Sequence, residues 1–289
     1  MHFYQVIITG QEAGSRLDRI IRKQGITQSV IEKSLRKGLI KLNNMLANAN
    51  DRLKEGDVIN IDHTIKIQPP IRANNPKVDT KLLEEVKNNI LYKDANIIAI
   101  NKSNNIAVQG GSKIKHSIDT MLDHLCFELS VRPKLVHRLD KETSGILLIA
   151  RNGKAAAILA EGFKNKTIKK QYIAVVIGRP KNRTGKIISS IEDSEALTHY
   201  EVLGTLNNEF SIMNLSPITG KKHQLRIHCQ LLGCPILGDN KYGTKNKKPL
   251  HLHAYKILLN NLMKNKHLEF IAPIPSYIQT ICKLAGVNI

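Results

Sequence analysis

The chain has no tryptophan, only four cysteines, and 24 acidic residues against 44 lysines and arginines. Each shortage excludes something. Without tryptophan, stacking on a nucleic-acid base has to use Tyr, Phe, His or Arg. The cysteines are Cys126, Cys229, Cys234 and Cys282, and they form no CxxC pair. They read as free thiols of a reducing cytoplasm rather than a disulfide frame, and Cys229 with Cys234 would supply half a zinc site at most. No apolar run reaches the ~18 residues needed to cross a bilayer. The opening MHFYQVIITGQEAGSRLDRI lacks the cationic, apolar and small-residue order of a secretory leader, so none is expected. No Gly-rich nucleotide loop and no cluster of metal ligands stands out. The shortage of acids leaves a net charge of +20. That favours a polyanionic partner, with nucleic acid ahead of a membrane surface.

What is present suffices for a core. With 289 residues, 42% of them hydrophobic, the chain can form one large domain or two unequal ones without disulfide or metal staples. There is no internal repeat. The main composition break is HTIKIQPPIRANNPKVDT at 63–80, whose prolines fit neither a helix nor a central strand. It reads as a linker between a small first unit and a large second one at 81–289. Residues 1–14 read as an N-terminal strand or extension.

Within 15–62, Ser15 is expected to cap a helix carrying Leu17, Ile20 and Ile21, closed by Gly25. Thr27 is expected to cap a second helix with Val30, Ile31 and Leu35 on one face, ended by Gly38. A hairpin follows, with Asn43-Asn44 as its turn, and then alternating Val58-Ile59-Asn60-Ile61. Between positions 16 and 41 stand eight basic residues, among them Arg16, Arg19, Arg36 and Lys37, against Asp18 and Glu32. Two short basic helices before a hairpin resemble the S4 RNA-binding module. The resemblance implies that these cations contact RNA; the plain alternative is a small helical cap with a solvated basic face.

In the second unit, β-like runs at 97–100, 145–150, 172–176 and 211–215 outnumber helical runs at 155–163 and 223–232. The fold class expected is α+β with a mainly antiparallel, mixed sheet.

The densest polar constellation is HRLDKETSG at 137–145, a loop between two strands. Asp140 stands among His137, Arg138 and Lys141. Cationic neighbours would hold it ionised, and an ionised, partly desolvated carboxylate can act as nucleophile or base. A polar turn with a structural Asp–Arg pair is the plain alternative from these residues alone.

HRLDKETSGILLIA resembles the central motif of the large-subunit ribosomal RNA pseudouridine synthases of the RluA type. Four more segments resemble that family in the same order: ILYKDANIIAINKSNNIAVQGG, KKQYIAVVIGRP, TGKKHQLRIHCQLLGCPILGDNKYG, and LHLHAY with FIAPIP. Together they span about residues 90–275. The resemblance implies a synthase domain with a central cleft that isomerises uridine in RNA. It makes Asp140 the catalytic aspartate and Arg138 the arginine that enters the RNA stack in place of the flipped nucleotide. It makes Tyr172 the tyrosine packed against the target base and a candidate for proton abstraction, and Arg226 the arginine whose planar fork pairs with Asp140. Lys221 and Lys222 are expected to contact RNA, although they depart from the family motif. The isomerisation changes no oxidation state and imports no atom, so neither cofactor nor metal is expected. His223 and His228 are five apart, which is not the helical zinc spacing. Whether the aspartate attacks base or sugar, or acts as a base, stays open.

Two departures stand out. Gly220-Lys221-Lys222-His223 replaces the usual Gly-Arg-Thr-His, exchanging a planar fork for a point charge. Val108-Gln109-Gly110 lacks a histidine found in many relatives. Gly110-Gly111-Ser112 resembles the C-type subgroup, which implies 23S rRNA, alone or in an assembling large subunit, as the cytoplasmic partner. No obligate protein partner is expected. The alternatives are a tRNA substrate, or an RNA-binding factor without catalysis. A glycosidase would need two acids about 5–9.5 Å apart, and Glu142 is a poor second to Asp140.

Overall fold

The computed structural model describes residues 3–10, 12–65, 78–110, 116–263 and 266–289. Most of the linker read at 63–80 lies outside these residues, as do Gly111 and Ser112. The chain divides into two compact units, Met1–Lys77 and Val78–Ile289.

The first unit contains β1 (Phe3–Ile7), α1 (Leu17–Lys23), α2 (Gln28–Arg36), β2 (Ile40–Leu42), β3 (Met45–Leu46) and β4 (Val58–Asp62). The strands form an antiparallel sheet in the order β1-β4-β2-β3. Leu17, Ile20 and Ile21 of α1 and Ile31 and Leu35 of α2 bury against Ile40, Ile59 and Ile61. Asn43 and Asn44 both take positive φ, 49° and 64°, as a two-residue hairpin requires of its central pair.

Three local expectations fail here. Arg16, not Ser15, is the N-cap of α1, and its guanidinium grips Asp18 in the first turn (Nη2–Oδ2 2.8 Å). Val30 is exposed, because the face of α2 turned to the sheet carries Ile31, Ser34 and Leu35. Thr27 does start α2, but its hydroxyl caps no amide.

The second unit runs α3 (Thr80–Asn88), β5 (Ile90–Lys93), β6 (Ile97–Lys102), α4 (Ile118–Met121), β7 (Lys134–Leu135), β8 (Ser144–Ala150), α5 (Gly153–Lys164), β9 (Lys169–Ile177), β10 (Thr184–Ile191), β11 (Ser194–Leu206), β12 (Phe210–Pro217), α6 (Gln224–Leu231), β13 (Leu252–Met263), β14 (Lys266–Ile271) and α7 (Ser276–Leu284). Its sheet has the order β10-β11-β12-β9-β13-β8-β6-β5, with β14 beside β13 and β7 beside β8. Every pairing is antiparallel except β13 with β8, so the unit is α+β with a mixed, mainly antiparallel sheet.

Strand β8, SGILLIA, is buried at every position. Its period of two explains why both faces can be apolar. Leu147 and Ile149 pack beside α3 and α4 residues, while Ile146, Leu148 and Ala150 pack against α5. The parallel contact is short and close. Gly145 (φ 110°) lies opposite Ala254, and a Cβ at Gly145 would run into the Ala254 backbone. Only glycine lets β8 and β13 meet there, and Ser144 Oγ lies 2.9 Å from His253 Nδ1 beside it. This seam fixes the end of the loop that carries Asp140. Among the described residues, no helix is long and apolar enough to cross a membrane.

Candidate active site

The loop at 136–143 joins β7 to β8 and is pinned at several points. His137 Nε2 accepts the Leu148 amide at 2.8 Å, and its ring stacks on Phe163 with centroids 4.5 Å apart. Burial, helped by the charge of Lys170, pushes the His137 pKa down to about 3. This imidazole is therefore a neutral anchor. Leu139 goes into the core, which leaves Arg138 and Asp140 facing out on either side of it. From below, Lys102 of β6, only 1% exposed, donates to the carbonyls of Ser103 and Ile106 (2.9 Å each) and Lys141 (3.2 Å). Burial brings its pKa down to about 7, against the pull of Asp140 and Glu142.

Around Asp140 the chain gathers cations from α6 and the strands. Arg226, 4% exposed, donates Nε and Nη2 to the two carboxylate oxygens of Asp239, both at 2.7 Å. Its Nη1 donates to Glu142 Oε2 at 2.8 Å and lies 4.0 Å from Asp140 Oδ2. The fork expected on Asp140 thus sits on Asp239. The physical reason is burial. Asp239 is enclosed in a tight turn behind Gly238 (φ 84°), where a Cβ would strike the Pro249 carbonyl, and so it needs charge-assisted partners. Burial works to raise the Asp239 pKa, but hydrogen bonds from Arg226 and the amides of Tyr242 and Lys241 outweigh it and hold the carboxylate low. Glu142, read from sequence as a poor second carboxylate, takes the guanidinium nitrogen closest to Asp140.

His223 starts α6 in the left-handed region (φ 55°, ψ 20°), a conformation that costs a non-glycine residue on the order of 1 kcal/mol or more. It places Nδ1 2.9 Å from the Tyr242 hydroxyl and Nε2 3.8 Å from Asp140 Oδ1. Burial lowers its pKa, and Asp140 pulls the other way. Tyr172 of β9 packs between two hydrophobic clusters, and burial, then the charge of Asp140, pushes its phenol well above the usual range. It stays protonated at neutral pH.

Asp140, Arg138, Tyr172, Arg226, Lys221 and Lys222 line one cavity of ≈170 Å³ with Lys170 and His223. A larger cavity of ≈760 Å³ shares Arg138, Asp140 and Arg226 and extends along Lys141, Lys241, Lys247 and Lys248. An open carboxylate therefore stands between a small, partly apolar recess and a wide basic one. It can attack or hold charge on a group inserted into the recess, while the basic wall receives an attached polyanion. Arg19 and Arg36 lie on the helices of the first unit and Arg16 and Lys37 at their ends, all exposed, with Arg16 tied to Asp18 and Arg36 Nε donating to the Glu32 carbonyl.

Sequence reasoning missed Lys102, Lys170 and the role of Asp239. Lys170 was findable, since it precedes Tyr172 by two on a strand. Asp239 looked like a turn residue, which it also is. His228 is enclosed by Thr198 Oγ1 (2.9 Å) and Ser189 Oγ (3.0 Å). Among the described residues, no group of three His, Cys, Asp or Glu could hold a metal.

Residues 96–231 match the family model described as RNA pseudouridylate synthase. A Rickettsia typhi protein named ribosomal large subunit pseudouridine synthase C is 40% identical, covering 91% of this chain and 94% of that one. The Arabidopsis thaliana protein named RNA pseudouridine synthase 4, mitochondrial, is 34% identical, covering 80% of this chain and 68% of its own. The solved structure of human RNA Pseudouridylate Synthase Domain Containing 4 superposes with a TM-score of 0.62 at 26% identity, over 72% of this chain and 97% of that one.

Proposed function

The chain belongs to the RNA pseudouridylate synthase family, and from that premise we propose that it converts uridines of large-subunit (23S) ribosomal RNA to pseudouridine with Asp140 as the catalytic carboxylate. The reaction cuts the N1–C1′ bond, turns the uracil and rejoins it through C5. It cannot run inside a stacked helix, so the uridine is flipped out. The observation that carries the reading is the setting of Asp140. Its carboxylate lines the recess together with Tyr172, and Arg226 stands within 4.0 Å. No hydrogen bond ties it up among the described residues.

The roles divide by position. Arg138 is exposed and borders both cavities, which suits the gap that the flipped nucleotide leaves. Tyr172 offers a protonated phenol beside the base. Lys221 and Lys222 border the recess as cations for RNA. The first unit, with Arg16, Arg19, Arg36 and Lys37 exposed on or at the ends of two short helices, acts as an S4-like RNA-binding module, adding phosphate contacts and no chemistry. The name of the Rickettsia typhi relative favours ribosomal RNA over tRNA; free rRNA or an assembling large subunit in the cytoplasm is the partner proposed. Because isomerisation is redox-neutral and imports no atom, the residues in the recess suffice for it.

Pseudouridine mapping of total RNA from cells with and without this protein tests the substrate. Loss of specific sites in large-subunit rRNA is the expected outcome. Loss confined to tRNA would replace the rRNA reading with a tRNA one.

A further inference from the structure

Lys170 has no task in the site so far. It lies two residues before Tyr172 on β9, so the period of two turns both side chains to one face. Both line the ≈170 Å³ recess with Asp140. Its Nζ has reached the loop across the recess, standing 3.9 Å from where a Cβ would sit on Gly220. The other buried cations of the site are saturated. Arg226 is held by Asp239 and Glu142, and Lys102 by three carbonyls. Among the described residues Lys170 makes no hydrogen bond and no ion pair. Burial lowers its pKa, which is the mark of an ammonium held partly out of water without a partner. Such a group is costly to keep and occurs mainly where a ligand completes it.

We propose that the Lys170 ammonium donates a hydrogen bond to a carbonyl oxygen of the target uracil and stabilises the negative charge that the ring acquires during isomerisation. This rests on the uridine-isomerase reading and deepens it. When N1–C1′ breaks, its electron pair stays with the base and spreads over N1 and the carbonyl oxygens. The electron-poor C1′ is taken by a carboxylate oxygen, or becomes a glycal by giving up its 2′ proton, which later returns. A nucleophile adding at C6 instead sends the C5=C6 pair to O4. On each route a uracil oxygen turns anionic. The charge is discharged when C5 bonds to C1′, the carboxylate oxygen leaving C1′ (or the added nucleophile leaving C6) with its electron pair, while the C5 proton leaves to a base and N1 takes up a proton. Lys170 keeps its own protons throughout. Its bond to the anionic ring is stronger than to neutral uracil, which is the differential that lowers a barrier.

A phosphate contact is the competing task for a lysine here. The geometry favours the base. Lys141, Lys241, Lys247 and Lys248 line the wide cavity and are exposed, whereas Lys170 is half-buried in the small recess beside Tyr172.

The test compares Lys170→Met and Lys170→Arg with wild type, using C5-tritiated rRNA fragments under single-turnover conditions. Lys170→Met is expected to slow release at saturating RNA by about 10²–10³-fold, the usual cost of losing one donor to a developing anion. RNA affinity should stay within about threefold, and its salt slope should not change. Lys170→Arg should restore part of the rate. It should also move the alkaline limb of the pH–rate profile upward, because guanidinium keeps its proton where the buried lysine loses it. A purely structural role would leave that limb in place, so Lys170→Arg decides even if the Met variant unfolds. The idea is overturned if Lys170→Met keeps more than about a tenth of the saturated rate. It is equally overturned if the loss lies in affinity, with the salt slope reduced by about one contact. Failure of the substrate reading would appear in the wild type, and failure of this one only in the variants.

Discussion

Arg226 turns the fork of its guanidinium to Asp239 and offers only its remaining nitrogen, 4.0 Å away, toward Asp140. Asp239 thereby fixes the plane and position of the arginine, and Glu142 holds the third nitrogen. Asp140 keeps a nearby positive charge without being locked into a bidentate pair. In the role proposed for it, turning toward a base or a sugar, such a carboxylate is better served by this neighbour than by a clamp.

It follows that Asp239 matters more to stability than Glu142 does. Asp239→Asn leaves a buried guanidinium without its counter-charge, and a loss of about 3–5 kcal/mol is expected. Glu142 has a half-exposed side chain, so Glu142→Gln should cost less than about 1 kcal/mol. Urea unfolding of both variants checks the order, and equal costs would show that the Arg226 fork is not held as described.

Asp140→Asn keeps the shape of the side chain but can be neither nucleophile nor base. Tritium release from C5-labelled RNA should disappear while the unfolding midpoint and RNA affinity stay near wild type. Activity above about a tenth of wild type would remove Asp140 from the centre of the chemistry.

A chain beginning at Val78 should bind rRNA fragments more weakly and with a shallower salt dependence, yet still react at saturating RNA. Each lost phosphate contact removes roughly 0.7–0.9 from the slope of log K against log salt. An unchanged slope would deny the first unit its role in RNA binding.

Buried histidines set an acid limit on the fold. His137 is held down to about 3 and His253 to about 4, both by burial. Their folded values lie below the unfolded value of about 6.5. Between those limits the unfolded chain binds protons that the folded one refuses. The stability they provide is complete above pH ~6.5 and drains as the pH falls toward 4, at up to about 1.4 kcal/mol per pH unit for each group. Denaturant unfolding from pH 7 to 4 should show this fall, and His137→Gln should reduce its slope by about one proton.

The parts of the molecule that read well from sequence were those where one local signal decides. The apolar run of β8, the paired asparagines at 43–44, and the strand carrying Tyr172 are each settled within a few residues. The polar network around Asp140 was less legible, because its partners come from distant turns. Asp239 follows a glycine in a stretch that looks like an ordinary loop, and nothing nearby says that Arg226 will fold onto it. Lys102 sits at the end of an apolar strand, where a lysine reads as solvated. Only the carbonyls left unpaired beneath the 136–143 loop explain why it is buried. Val30 failed for a simpler cause. Helical spacing offers a stripe wider than the face that the sheet covers, and the sheet chose the other edge.

The seam between β8 and β13 also sets an order of events during synthesis. Ser144 meets His253 across 109 positions, and Gly145 lies against Ala254. The segment bearing Asp140 leaves the ribosome long before the strand that borders it, and in the meantime the edge of β8 there has no neighbour. If the first unit binds RNA as proposed, a nascent chain can already hold RNA while its cleft does not yet exist. Modification would then be confined to chains whose last strands have been made, while the proposed RNA capture would not.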